Sequence, residues 1–240
     1  MIIACGDDPY VNKMHLTKPI IYFGLNDNNN IRATNINYTE EGTTFDVTID
    51  NNLYGHFDIP IYAHHQLLDA LAVITLCICE NIAAQTVEKY FKTFTNAKRR
   101  FTQTIASDSI IIDDYAHHPN EVKATLDAVK QKYPNKKIVA IFQPHTFSRT
   151  KAFAKDLAKI LKNTYKSYIM DIHPARERQE DYQGITKDII INNTPNAYPI
   201  TINDAEILNE IDNAVFVFMS PNDISKLEQD LIKLKQQKHN

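Results

Sequence analysis

The stretch Ile110-Ile-Ile-Asp-Asp-Tyr-Ala-His-His-Pro119 decides the fold of this sequence. Its three consecutive isoleucines predict a short buried strand, and Pro119 suits the first position of a helix. The predicted helix continues with apolar residues at helical spacing, at Val122, Leu126, Val129 and Tyr133. Two acids and two histidines therefore stand between a strand and a helix, where free N–H groups and the helix dipole favour an anion.

The same arrangement recurs along the second part of the chain. Lys137–Phe142 and Ser167–Met170 predict two more strands, each followed by a polar segment that contains arginine, and Ala214–Phe218 predicts a later strand. Helical patterns separate these strands. Such alternation is typical of an α/β domain with a Rossmann-like, mostly parallel sheet and helices on both faces. Ligands bind at the carboxyl ends of the strands in that architecture.

The first part of the chain has a different pattern. Short β-rich runs such as Thr43–Ile49 alternate with turn clusters such as Asn26–Asn30, and we expect mainly antiparallel pairing there. One buried helix follows, with an apolar face at Leu67, Leu71, Ile74 and Ile78. Residues 1–97 contain 11 acidic and 5 basic residues, against 18 and 21 in residues 98–240. This shift predicts two domains, 1–97 and 98–240.

Composition excludes several classes of protein. The chain of 240 residues is 43% hydrophobic and 23% charged, which argues against disorder. Its three cysteines are too few for a disulfide scaffold. No basic region precedes the apolar residues near Met1, and the apolar run Leu67–Cys79 is too short to span a bilayer, so we expect a cytoplasmic protein without a membrane partner. The basic residues form no long stripe, which argues against a nucleic-acid partner.

Glycine and arginine are both used sparingly. None of the five glycines lies in a GxxxxGK[ST] or GxGxxG pattern. Only six of the 26 basic residues are arginines, and five of these fall in three clusters: Arg99 and Arg100, Arg149, Arg176 and Arg178. Because the sequence uses so few arginines, their clustering is consistent with a need for the bidentate guanidinium group at these positions. Chance clustering is the alternative.

Each polar motif has a functional and a structural interpretation. Asp113–Pro119 is either part of a ligand pocket, a helix cap with solvated histidines, or a metal site. In Gln143–Arg149, Ser148 caps the next helix and Arg149 either points across the sheet edge or is an ordinary surface residue. Lys98–Phe101 is either a solvated linker or a phosphate clamp at the domain junction. The histidines at the start of Ala63–Ala72 are, taken alone, helix-start residues.

Four motifs together resemble one family. Lys98–Phe101, Asp113–Glu121, Phe142–Thr150 and Ala175–Glu177 occur in the order and spacing of the Mur ligases. The resemblance covers essentially the whole chain. It implies that residues 1–97 are part of the central ATP-binding domain without its phosphate loop, and that residues 98–240 are the C-terminal domain that binds the amino acid.

The resemblance also implies a reaction. Within the family, the motifs of this sequence most resemble those of the ligases that join L-alanine to UDP-N-acetylmuramate, with ATP as the third substrate. The muramyl carboxylate becomes an acyl phosphate, which the amine of L-alanine attacks. Mg²⁺ is the implied cofactor, with its ligands expected mainly in a part of such ligases that this chain does not contain. The chain alone is then expected to be inactive, and a separate N-terminal half is a possible partner.

The resemblance assigns roles to individual residues. Tyr115, His117 and Arg149 are implied in catalysis, with Arg149 pairing with the alanine carboxylate. The amino-acid pocket would also contain His118, His145 and Arg176. For ATP, the resemblance implies that Arg100 contacts the phosphates, Asp114 holds the ribose, and His65 and Asp69 contact the adenine. No residue of this chain is implied as a metal ligand.

Two alternatives to a ligase fragment stay open at this point. One is a non-catalytic module that retains affinity for nucleotide or amino acid. The other is an unrelated metal-dependent hydrolase that uses the acids and histidines of Asp113–His118.

Overall fold

A computed structural model describes residues 1–14, 17–94 and 97–238 of the chain. The chain divides into two compact units, Met1–Thr95 and Asn96–Asn240. In the described residues, no helix is both long enough and apolar enough to cross a membrane.

The first unit contains a five-stranded sheet. Its strands are β1 (Ile2–Cys5), β2 (Ile20–Gly24), β3 (Ile31–Tyr38), β4 (Thr43–Ile49) and β5 (Asn52–Ile59). They lie side by side in chain order. The pairs β1–β2 and β2–β3 are parallel, whereas β3–β4 and β4–β5 are antiparallel. The expected antiparallel pairing therefore applies to the later half of the sheet.

Two helices, α1 (Ala63–Cys79) and α2 (Ala84–Phe91), cover one face of this sheet. The predicted helical spacing is confirmed, because Leu67, Leu71 and Ile74 of α1 are fully buried against the strands. Gly55 is required beneath α2, since a Cβ atom there would lie 2.5 Å from Cβ of Ala84.

The second unit contains a six-stranded sheet. Its strands are β6 (Thr102–Ala106), β7 (Ser109–Asp114), β8 (Lys137–Phe142), β9 (Lys166–Ile169), β10 (Ala197–Pro199) and β11 (Ala214–Met219). Their order across the sheet is β10-β9-β8-β11-β7-β6. All neighbours are parallel except β6 and β7, so the predicted mostly parallel sheet is confirmed.

Helices cover both faces of the second sheet, as the alternation predicts. They are α3 (Pro119–Lys132), α4 (Phe147–Leu161), α5 (Asp188–Ile191), α6 (Ala205–Asn209) and α7 (Ser225–Gln237). Successive residues of β7 enter opposite cores: Ile110 and Ile112 pack with α3 and α4, whereas Ile111 packs with α6 and α7. This two-sided burial explains the continuous apolar runs in the sequence.

Two local predictions need correction. Strands β3, β6 and β10 were not predicted from the sequence. The predicted capping role of Ser148 is wrong, because α4 begins at Phe147 and its N-cap is Thr146, whose side-chain oxygen accepts from the Arg149 amide. Pro119, by contrast, begins α3 as predicted.

Candidate functional site

Four loops of the second unit follow the carboxyl ends of adjacent parallel strands. They come after β7, β8, β9 and β11, which lie together in the order β9-β8-β11-β7. The loops after β8 and β9 are joined by backbone hydrogen bonds, from His173 N to Pro144 O at 2.9 Å and from Thr146 N to His173 O at 2.8 Å. The predicted polar motifs therefore meet at one edge of the sheet.

Three histidines from three of these loops form a row. The rings of His117 and His145 meet edge to face with centroids 5.5 Å apart, and the rings of His145 and His173 are stacked at 5.7 Å. His117 and His145 were predicted site residues, and the structure places them in contact. His173 was not assigned a role from the sequence.

His145 is the central ring of this row. Burial lowers its pKa, and the nearby charges of His117, Arg149 and His173 lower it further, while Glu177 opposes them. Its Nδ1 atom is buried and has no hydrogen-bond partner among the described residues. The lowered pKa favours the neutral form of this imidazole.

Glu121 holds the His117 end of the row. Its carboxylate accepts hydrogen bonds from the backbone amides of His117 and His118, both at 3.0 Å, and lies 3.2 Å from Nδ1 of His117. Burial alone would raise the Glu121 pKa, but these bonds and the two imidazoles lower it overall. The result is a capping box that orients the loop after β7.

His118 lies at the same helix start but points elsewhere. Its Nδ1 accepts from the Asn120 amide at 3.3 Å, and its ring meets Phe153 of α4 edge to face at 4.8 Å. The helix-cap interpretation of this residue is thus the one that its contacts favour.

Asp114 is enclosed by its own chain. It is 7% exposed, and its carboxylate accepts from Phe101 N at 2.8 Å, Ala116 N at 2.9 Å and Thr125 Oγ1 at 3.2 Å. These bonds tie the segment before β6 to the loop after β7. Its contacts are those of a group that positions the loop, which differs from the predicted contact with the ATP ribose.

The guanidinium carbons of Arg99 and Arg100 lie over the Tyr115 ring, 5.6 and 5.4 Å from its centroid. Arg99 also pairs with Asp113 at 3.2 Å and donates to the carbonyl of Asn222 at 2.9 Å. Burial raises the Asp113 pKa, and Arg99 partly offsets this rise. Arg99 is therefore a structural link, whereas Arg100 is exposed.

The six arginines separate into two groups by their partners. Arg32, Arg99 and Arg178 form ion pairs with Asp27, Asp113 and Asp181 respectively. The remaining three form no ion pair with any acidic residue in the described part of the chain: Arg100, Arg149 and Arg176. All three are exposed, and all three were predicted site residues.

The loop after β11 is also tied into this edge. Gln143 accepts hydrogen bonds from the Ser220 hydroxyl at 2.9 Å and the Asn222 amide at 3.3 Å. Together with Arg99, these contacts hold the loop after β11 beside the loop after β8.

The two remaining predicted residues lie in the first unit. His65 is partly buried and Asp69 is exposed, both on α1. Their predicted contact with adenine stays a prediction. Within residues 1–14, 17–94 and 97–238, no group of three or more His, Cys, Asp or Glu side chains is arranged to hold a metal ion.

Comparison with known proteins agrees with this geometry. The family model described as "Mur ligase, glutamate ligase domain" matches residues 99–224. Among solved structures, the chain is similar to a UDP-N-acetylmuramate–alanine ligase, MurC, from Thermotoga maritima, with a TM-score of 0.74 and 22% identity over 91% of this chain and 48% of that one.

Two further solved structures share the fold. The MurF ligase from Thermotoga maritima in complex with ADP has a TM-score of 0.72 and 15% identity over 98% of this chain and 54% of that one. A murein peptide ligase from Psychrobacter arcticus 273-4 has a TM-score of 0.63 and 18% identity over 91% and 47%. The chain therefore spans about half the length of the solved structures it matches.

Proposed function

The chain belongs to the Mur ligase family, and on this basis we propose that it is part of an ATP-dependent ligase of peptidoglycan-precursor synthesis. The specific reaction we propose joins UDP-N-acetylmuramate to L-alanine. The second unit would bind the amino acid and part of the nucleotide. By itself the chain would be inactive.

One observation carries this proposal. The three arginines that lack a carboxylate partner among the described residues all belong to segments at the carboxyl edge of the second sheet or beside it. Arginines that are not paired within a protein are available for carboxylate or phosphate groups, which they bind with two parallel hydrogen bonds. Both groups occur in the proposed substrates.

The chemistry makes use of such cations. A carboxylate is a poor electrophile, so ATP first converts it to an acyl phosphate. The free amine of L-alanine then attacks the carbonyl carbon, and inorganic phosphate leaves from the tetrahedral intermediate. Because negative charge accumulates on the phosphoryl and carbonyl oxygens, catalysis depends on positioning and charge stabilisation.

We assign the residues as follows. Arg149 pairs with the carboxylate of L-alanine, and Arg176 supports the same pocket. His117 and His145 face the amino acid, with Tyr115 beside them. Arg100 contacts the phosphates of ATP, and Asp114 acts by positioning the loop after β7. His65 and Asp69 are proposed adenine contacts, and His118 supports the helix start.

The proposed metal requires residues outside this chain. Mg²⁺ prefers an octahedral set of oxygen ligands and commonly bridges ATP phosphates. We assign no metal ligand in this chain and derive no step from the ion.

The edge and one face of the first sheet fit a partner that supplies the N-terminal half of the ligase. Strand β1 is the edge strand of the parallel part of the first sheet. Where β1 pairs with β2, the face opposite α1 carries Ile2, Ile20 and Tyr22. Parallel strands are usually covered on both faces. We propose that the N-terminal half of a ligase, as a separate chain or as a preceding segment, packs on this edge and face.

Calorimetry and a phosphate-release assay test the proposal. The purified chain should bind L-alanine and ATP with millimolar or tighter affinity. It should release no phosphate from ATP in the presence of UDP-N-acetylmuramate, L-alanine and Mg²⁺, because the sequence has no phosphate loop of the GxxxxGK[ST] type. Turnover by the chain alone would contradict the claim of inactivity, and no heat with either ligand would contradict the assigned site.

The same measurements separate the ligase from a non-catalytic binding module. Addition of a complementary N-terminal half should restore L-alanine-dependent phosphate release if the chain is part of a ligase. Binding of both ligands without turnover in the reconstituted complex would favour the binding module.

A further inference from the structure

We propose that Glu177 is a positioning residue that clamps the segment after β9 to the first turn of α4 and so holds His145 and Arg149 in place. The inference rests on the proposed function, because that function assigns His145 and Arg149 to substrate binding. The clamp itself can be tested without any ligand.

The contacts of the Glu177 carboxylate carry the proposal. One oxygen accepts from the Ser148 amide at 2.9 Å, and the other accepts from the Ser148 hydroxyl. The backbone of Phe147 also donates to it. The carboxylate therefore occupies the N-terminus of α4, where free N–H groups and the helix dipole favour negative charge. Burial raises the Glu177 pKa, but these hydrogen bonds lower it overall.

A second set of contacts joins the same two segments. His145 and His173 form an isolated parallel bridge, and the Thr146 amide donates to the His173 carbonyl at 2.8 Å. The two loops are thus held at the bridge and again at Glu177. The first contact is at His145 and the second is at Ser148, in the first turn of α4, so Thr146 lies between them.

The backbone at Thr146 shows why a clamp is needed. Thr146 has φ of 65° and ψ of 146°, a conformation that residues other than glycine rarely adopt. Such a conformation persists only when surrounding contacts impose it. The His173 carbonyl fixes Thr146 from one side, and Glu177 fixes the two residues that follow it.

The strained turn lies directly between two proposed substrate-binding residues. His145 precedes Thr146, and Arg149 follows the clamped Ser148. Loss of the Glu177 charge would let the turn relax, so that both the imidazole and the guanidinium would move. Loss of a purely stabilising cap would instead lower the free energy of unfolding without changing where these side chains lie.

The test compares Glu177→Gln with Glu180→Gln, an exposed glutamate three positions later. Nuclear magnetic resonance reports the exchange rate of the Ser148 amide and the nuclear Overhauser effect between the rings of His145 and His173. Calorimetry reports the affinity for L-alanine. In Glu177→Gln we expect Ser148 exchange at least tenfold faster, loss of the ring contact and at least tenfold weaker L-alanine binding, with Glu180→Gln like the wild type.

Each failure has a distinct meaning. An unchanged Ser148 exchange rate overturns the clamp, and an undiminished ring contact or L-alanine affinity in Glu177→Gln overturns the positioning role. If the wild type binds no L-alanine, the proposed site fails, while exchange and ring contact still decide the clamp. If Glu177→Gln does not fold, Ser148→Ala replaces it, because that change removes only the hydroxyl donor. A wild-type ring contact in Ser148→Ala then overturns the positioning role.

Discussion

The imidazole rings of His145 and His173 lie almost parallel, at an angle of 9° and with centroids 5.7 Å apart, although the two residues follow different strands. The contact results from the parallel pairing of β8 and β9, which brings the loops after both strands to the same edge of the sheet. The stack places the His145 imidazole, whose pKa is lowered, close to the exposed Arg149.

Acid should destabilise the protein through His145. Its pKa is lowered by burial and by nearby positive charge, so the unfolded chain binds a proton at a higher pH than the folded chain. The free energy of unfolding should therefore fall as the pH drops from the ordinary histidine pKa of 6.5 towards the folded value. Urea unfolding of His145→Asn should show a weaker dependence in this range. The exposed His64→Asn variant is the control, and equal pH dependence of the two variants would contradict the prediction.

Glu228 should have the opposite effect, because it destabilises the protein as the pH rises. Burial and then Asp113 raise its pKa from 4.5 to about 7, despite Arg99 nearby. The folded state therefore resists ionisation, and the free energy of unfolding decreases as the pH rises between these values. Glu228→Gln should stabilise the protein by about 1–3 kcal/mol at pH ~8 and have little effect near pH ~5.

The exposed Glu206→Gln variant is the control for that measurement, because it removes an acid from the surface of α6. Chemical unfolding of the wild type and both variants at the two pH values provides the data. An equal effect of Glu228→Gln at both values would show that the side chain titrates alike in the folded and unfolded chains.

Arg149→Lys should weaken L-alanine binding by about tenfold, because lysine keeps the charge but cannot form two parallel hydrogen bonds with a carboxylate. Arg149→Ala should weaken it further. The exposed neighbour Lys151 provides the matched variant, Lys151→Ala, whose affinity should remain within about twofold of the wild type. Calorimetry measures the dissociation constants, and equal effects of the two alanine substitutions would assign the affinity to general positive charge.

Lys235 should be essential for stability. Its side chain is fully buried, and its ammonium donates to Ile211 O at 2.7 Å and Asn209 O at 3.1 Å and pairs with Asp212 at 3.2 Å. Lys235→Met removes the buried donor to Ile211 O and leaves Asn209 O and Asp212 with Lys238. We expect a loss of about 2–4 kcal/mol in the free energy of unfolding. Lys238→Met removes the more exposed partner of the same aspartate and should cost less than about 1 kcal/mol. Similar losses in both variants would contradict the role of burial.

Several elements could be predicted because their signals are local. Lys137–Phe142 is a strand with the predicted bounds, and α1 has its predicted buried face. The β-branched run and the helical spacing depend only on neighbouring residues. Strand β3 was missed because a bulge near Asn35, with φ of 50°, interrupts its alternation. Strand β6 is mostly exposed and has little apolar pattern to recognise.

The sequence by itself determined that strands alternate with helices after residue 108, and hence that the polar motifs follow strand ends. Parallel pairing then places those motifs at one edge, because a right-handed crossover returns the chain to the same side of the sheet. Only the tertiary structure decided which of two nearby residues forms an ion pair or caps a helix, and which does not. Arg99 pairs with Asp113, whereas Arg100 pairs with no described acid, and Thr146, not Ser148, caps α4. These outcomes depend on residues distant in the chain, such as Asn222 and Glu177, whose approach no local pattern encodes.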